Sequence, residues 1–94
     1  MIELEQYFIG EEEWNNYSSI FNEFWVESDF QIKITQLLEN RIDIAKVVFF
    51  HTGERSINWL NSKVPALDNL TPLECLEKEQ LVKRLKTCLM RFPV

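Results

Sequence analysis

Apolar residues recur along this chain at helical intervals almost from end to end, and the intervals divide it into elements. Between Glu11 and Glu27, Trp14, Tyr17, Phe21, Phe24 and Trp25 fall three, four or one residue apart, with acids and Asn on the other face. That spacing predicts an amphipathic helix with an aromatic stripe. Glu11, Glu12 and Glu13 stand in its first turn, where negative charge complements the helix dipole. A second helix is predicted from a cap at Ser28 or Asp29 to about Phe50, with Ile34, Leu37, Leu38, Ile42, Ala45, Val48 and Phe49 on one face, and it is the longest element. Thr52-Gly53 breaks it, and Thr52 is placed to cap a short third helix, Glu54 to Asn61, presenting Ile57 and Leu60 together. Ahead of all of these, Tyr7-Phe8-Ile9 fits either a short extended segment or a lid on the core.

The most sharply specified stretch follows. Asn61-Ser62-Lys63-Val64-Pro65 ends a helix, because Asn and Ser divert backbone hydrogen bonds and Pro65 biases Val64 away from the helical region. Thr71 is a good N-cap, Pro72 sits where its missing N–H costs nothing, and Glu74 falls where it can reach back to the cap N–H. A stiff loop from Asn61 to Leu70 is therefore expected, with Leu67 and Leu70 plugging into the core. The helix begun at Thr71 is expected to break near Glu77-Lys78-Glu79, before a last helix carrying Leu81, Val82, Leu85, Cys88, Leu89 and Phe92. The pattern as a whole predicts an all-α bundle of four to five helices, with no repeat and no flexible linker.

Charge changes the picture of the first third. Residues 1–30 hold Glu3, Glu5, Glu11, Glu12, Glu13, Glu23, Glu27 and Asp29 and no base, a local charge of −8 in a chain of net −5. Such a segment repels phosphates and suits a basic partner surface, besides keeping a small protein in solution. Cys75 and Cys88 form no CxxC pair and have no His/Cys cluster beside them, so both are read as buried or half-buried free thiols in a reducing cytoplasm. The chain opens without the basic and apolar regions of a signal peptide, and no apolar run is long enough for a membrane span. A cytoplasmic protein with no membrane contact is expected.

Little in the sequence points to catalysis. His51, the single histidine, is read as a structural or solvated residue, and Glu11 to Glu13, Glu74, Glu77 and Glu79 as helix-start and surface charges. Metal-ligand spacing is absent, and with Gly10 and Gly53 alone there is no phosphate loop, so no cofactor is expected.

Trp59, Leu60, Pro65, Ala66, Leu67, Asp68, Thr71, Pro72, Leu73, Glu74 and Leu76 follow one another in the order and spacing of a known pattern. In this the chain resembles the C-terminal toxin-binding domain of the Xre/MbcA/ParS antitoxin family. The resemblance implies an antitoxin-like, non-enzymatic protein whose partner is a RES-domain toxin that degrades NAD or transfers ADP-ribose. It implies two parts, an acidic aromatic helical extension over residues 1–30 and a toxin-binding domain over 31–94, in which Trp59, Leu60, Pro65, Leu67, Thr71, Pro72 and Glu74 serve mainly structure.

Relatives often carry a helix-turn-helix domain ahead of this one. Here the preceding thirty or so residues are too few and of the wrong sign for that. Leu89-Met90-Arg91-Phe92 fits the pattern that ends the family's last helix, after which relatives run on into the toxin's active-site cleft; here Pro93-Val94 follow. Arg91 and Phe92 are therefore the candidate partner contacts, joined by Lys83 and Arg84 on a basic face that also includes Lys86. Gln80-Leu81 stand where relatives have a small pair. If the aromatic stripe of the first helix is not buried within one molecule, it becomes a homodimer or partner surface. The alternative reading is a transcription regulator, or its remnant, binding nucleic acid through the basic last helix. Duplex DNA binding is expected to be weak or absent at physiological salt, and saturable nanomolar binding in an anisotropy titration would contradict this.

Overall fold

The structure is a computed structural model and describes residues 4–92. Among the described residues there are five α-helices and five short 3₁₀ turns, and the sole β pairing is one antiparallel bridge between Val64 and Leu70. The helices are α1 (Glu11–Ser19), α2 (Asp29–Leu37), α3 (Ile42–Thr52), α4 (Ser56–Leu60) and α5 (Glu79–Met90). The all-α expectation holds.

The first helix stops earlier than its aromatic spacing predicts. Ser18 and Ser19 turn their hydroxyls onto the carbonyls of Asn15 and Asn16, at 3.2 and 2.9 Å, and residues that bond their own backbone in this way are weak helix formers. The chain leaves α1 at Ile20, makes a 3₁₀ turn over Asn22–Phe24 and is extended at Trp25. Gly10 begins α1 at φ 111°, a conformation in which an L side chain would be strained, and its carbonyl accepts the Trp14 N–H at 3.1 Å.

The long second helix is two helices. Ser28 forms a reciprocal capping box with Gln31, as its position predicts for the start of α2. The helix ends in a Schellman motif: the Asn40 N–H bonds Thr35 O at 2.9 Å and the Glu39 N–H bonds Gln36 O at 3.1 Å. Glu39 and Asn40 both lie in the left-handed region, at φ 57° and 65°. The break re-aims α3, so that Ile44, Ala45, Val47 and Val48 are buried while Ile42 is exposed. Thr52 does not cap a third helix. It is the last residue of α3, with its hydroxyl on Val48 O at 2.6 Å, and Gly53 at φ 55° turns the chain through one 3₁₀ turn into α4.

Thr71 and Glu74 exchange the two expected bonds, Thr71 N to Glu74 Oε1 at 2.8 Å and Glu74 N to Thr71 Oγ1 at 3.1 Å. What they cap is a single 3₁₀ turn, Glu74–Glu77, and not an α-helix; Lys78 is extended and α5 starts after it. Hydrogen bonding to the carboxyl from the Thr71 backbone N–H, and then from its hydroxyl, holds Glu74 below its usual range.

The core gathers Trp14, Ile34, Leu38, Ile44, Leu60, Leu67, Leu85 and Leu89, all fully buried. Leu67 is the loop plug anticipated above, and Leu70 packs beside it half-buried. From Arg84 to Leu89 every residue of α5 is buried, so the second half of this helix is enclosed on all sides while Glu79, Gln80 and Lys83 in its first half stay exposed. One side is closed by the start of the chain, whose 3₁₀ turn Leu4–Tyr7 lies along α5 with Phe8 against the core. Of the two arrangements open for residues 1–10, the described part is thus a cover over the core; residues 1–3 lie outside the described residues.

That cover corrects the reading of α5 as a basic surface helix. Arg84 is 8% exposed and makes a forked contact to Glu5, Nε to Oε1 at 2.8 Å and Nη2 to Oε2 at 3.0 Å. Lys86 is 5% exposed, with Nζ 2.9 Å from both oxygens of Glu11 and 5.5 Å from the centre of the Trp14 ring. Hydrogen bonding from Arg84 holds the Glu5 carboxyl below its usual range. Breaking a buried pair by removing one partner is costly, whereas replacing both by apolar groups is often neutral. Glu5→Gln is accordingly expected to lower unfolding free energy by roughly 2–3 kcal/mol, less than a fully orphaned charge because Arg84 keeps a contact to Leu67 O at 3.5 Å. The double variant Glu5→Leu/Arg84→Leu should recover most of that loss in urea titrations; an unaltered midpoint for Glu5→Gln would show that the pair contributes nothing.

Candidate partner-binding site

α4 is short, and Asn61 and Ser62 end it by bonding side chains back to Ile57 O and Asn58 O, at 2.9 and 2.6 Å. The loop that follows closes on itself. Val64 N–H bonds Leu70 O at 3.0 Å, and Val64 O accepts from Leu67 N at 2.9 Å and Asn69 N at 3.0 Å. Asp68 and Asn69 take left-handed conformations, which Asp and Asn tolerate better than most residues. With Leu67 buried, Pro65 and Ala66 are left exposed on the outer side of the loop.

Opposite them lies the end of α5, and between the two runs a groove of about 530 Å³. Trp59, Val64, Pro65 and Ala66 form one wall and Cys88, Arg91 and Phe92 the other. A train of rings borders the groove. Trp59 meets Phe92 edge-on at 5.5 Å, and Phe92 stacks on His51 at 4.8 Å with 14° between planes. His51 Nε2 is 3.0 Å from Tyr17 Oη, which also lies 3.2 Å from Leu89 O. Tyr17 has one proton; given to Leu89 O, it leaves the oxygen to accept from His51 Nε2–H.

Across the Trp59–Phe92–His51 ridge is a second hollow of about 540 Å³, lined by His51, Thr52, Arg55, Asn58, Trp59 and Ser62. On the far side of Arg91, its guanidinium carbon sits 4.7 Å above the centre of the Tyr7 ring, a cation–π contact that steers this exposed side chain.

Of the residues expected at a partner surface, the structure brings Arg91 and Phe92 together with Trp59 and Pro65. Lys83 is exposed but lines none of these hollows, and Arg84 is enclosed with Glu5, so it is not available to a partner. Leu60, Leu67 and Pro72 are buried and serve the fold. Arg55 and Asn58 were not anticipated. Arg55 precedes Trp59 by four residues, one helical turn, and that spacing was the available signal. In the aromatic N-terminal segment Trp14 and Phe21 are buried, whereas Phe24, 53% exposed, meets the exposed Phe50 ring at 5.4 Å, and Ile20 is 59% exposed.

The titratable groups here are poorly suited to nucleophilic chemistry. Burial pushes the Cys88 thiol up and the Cys75 thiol up to about 11. Among the described residues no three His, Cys, Asp or Glu side chains gather as around a metal ion, and no helix is long and apolar enough to cross a membrane. No protein-family model, curated protein or solved structure matches this chain.

Burial also lowers the affinity of His51 for a proton, so the folded protein favours the neutral ring. The unfolded chain binds that proton more readily, near pH 6.5. The stability from the neutral ring is therefore complete above pH 6.5 and declines as pH falls through the depressed folded value. Urea midpoints should drop from about pH 7.5 to 5, a window above the range in which Glu5 titrates, and His51→Gln should flatten that dependence. An equal drop in the variant would assign the effect to other groups.

Proposed function

We propose that this chain is a non-enzymatic binding module of antitoxin type, working in a reducing cytoplasm, which neutralises a RES-domain toxin by covering it with the surface around the end of α5. One observation carries the reading: Trp59 and Pro65 of the loop pattern and Arg91 and Phe92 of the helix end, separated in sequence, line the same groove. A half-buried aromatic pair beside an exposed arginine is the composition of an interface anchor. The arginine forks two hydrogen bonds toward carboxylate or carbonyl oxygen, and Tyr7 beneath it limits the entropy lost on binding. The buried thiols and the neutral His51 support an interaction role over catalysis by the chain itself.

In a coexpression growth assay with a RES-domain toxin, the full chain should protect, and a variant lacking residues 91–94 should lose most of that protection while its circular dichroism stays helical. Arg91→Ala alone should weaken the complex by about 2 kcal/mol. Full protection by the truncated chain would move the neutralising surface elsewhere, to the exposed Phe24–Phe50 pair first.

A further inference from the structure

The groove has a neighbour of different chemistry, and the two together define what fits. Neither hollow is lined by Asp or Glu among the described residues, although the chain holds fifteen acids against ten bases. The charged side chains that line them are Arg91 on one side of the ring ridge and Arg55 on the other. Arg84 and Lys86 are paired inside the fold, so they add nothing to this face. The face around Trp59 is therefore a cationic, apolar exception on an acidic molecule. Ser62 gives its proton to Asn58 O, which leaves its oxygen as an acceptor on the rim of the second hollow.

We propose that this surface receives an acidic segment of a partner protein, in which an aliphatic or aromatic side chain fills the groove beside Phe92 and a neighbouring carboxylate crosses the Trp59–Phe92–His51 ridge to Arg55. Each half answers a different need. Filling the groove removes apolar surface from water at Trp59, Val64 and Pro65, which supplies affinity. The carboxylate on Arg55 sets register and direction, because a guanidinium fork accepts a planar anion in few orientations. Arg91 at the groove mouth takes a second carboxylate or a main-chain carbonyl. The ridge itself is held from below by the Tyr17–His51 contact, so the two hollows are preformed and little ordering is needed on binding. The occupant is a peptide segment and not a small anion, because an anion in the polar hollow would leave the larger apolar area of the groove wet.

This inference rests on the groove being a partner-binding surface, and its test is independent of any toxin. The probe is a short capped, dye-labelled peptide with a central Leu-Phe pair flanked by aspartates, titrated into the full chain and followed by anisotropy. A second peptide carries asparagine in place of aspartate. Saturable binding is expected for the acidic peptide, weakened about tenfold or more in the asparagine version and in Arg55→Ala, the difference made by a charged hydrogen bond. Ala66→Glu, an exposed position on the groove wall, should abolish binding by placing a carboxylate beside the incoming one. Lys33→Ala, on the exposed side of α2, should leave it unchanged. Equal binding of the two peptides would overturn the charge requirement. No binding of either would overturn the proposal, as would a concentration-dependent dimer in sedimentation that Ala66→Glu dissociates, since the groove would then belong to a second copy. Protection against a toxin with no peptide binding defeats this inference alone; peptide binding with no protection defeats the antitoxin reading alone.

Discussion

Two charge pairs hold the start of α1 and the turn before it against α5: Arg84 with Glu5, both nearly enclosed, and the enclosed Lys86 with Glu11, whose carboxylate faces solvent. Arg84 and Lys86 lie on the buried part of α5, and neither could be enclosed without a counter-charge, because an isolated ion in a protein interior costs several kcal/mol. Glu5 and Glu11 supply it from 79 and 75 residues away. Neutralising α5 lets Leu85, Cys88 and Leu89 pack on one side while the first turn of the chain closes the other. The acidic first third is thus in part structural.

From that closure a line of contacts runs to the candidate site. Glu11 begins α1, and Trp14, three residues on, is buried with its indole N–H on Asp43 at 2.7 Å. Tyr17, a further turn along, reaches both His51 at the end of α3 and Leu89 in α5. His51 supports Phe92, and Phe92 meets Trp59. Four separate segments therefore hold one ridge of rings. Phe8, Trp14, Tyr17 and Phe21 pack in or against the same core as the later helices, and Tyr17 helps to position the groove.

Local features were legible in the sequence and long-range ones were not. The Ser28–Gln31 box, the Thr71–Glu74 exchange and the Leu67 plug each depend on residues within a few positions of one another, and each forms. The break between α2 and α3 was invisible because Ile34, Leu38, Ile42 and Ala45 keep a helical interval straight across it, and Glu39 takes a left-handed conformation that its residue type does not favour. The length of α1 was misread because aromatic spacing continues past Ser19, where the backbone does not. Arg84 and Lys86 looked like surface charges for want of any local sign that their partners lie at the other terminus. At the site, Trp59, Pro65, Arg91 and Phe92 were marked by pattern, whereas Arg55 and the second hollow required the fold of α4 against α5.

The central claim, that the surface around Trp59 and the end of α5 is the one a toxin meets, is tested most directly by hydrogen–deuterium exchange on the chain alone and bound to a RES-domain toxin. The account predicts new protection confined to residues 55–66 and 88–92, with little change at 20–26 and 48–50. Protection confined to 20–26 and 48–50, with the groove exchanging as in the free chain, would contradict it.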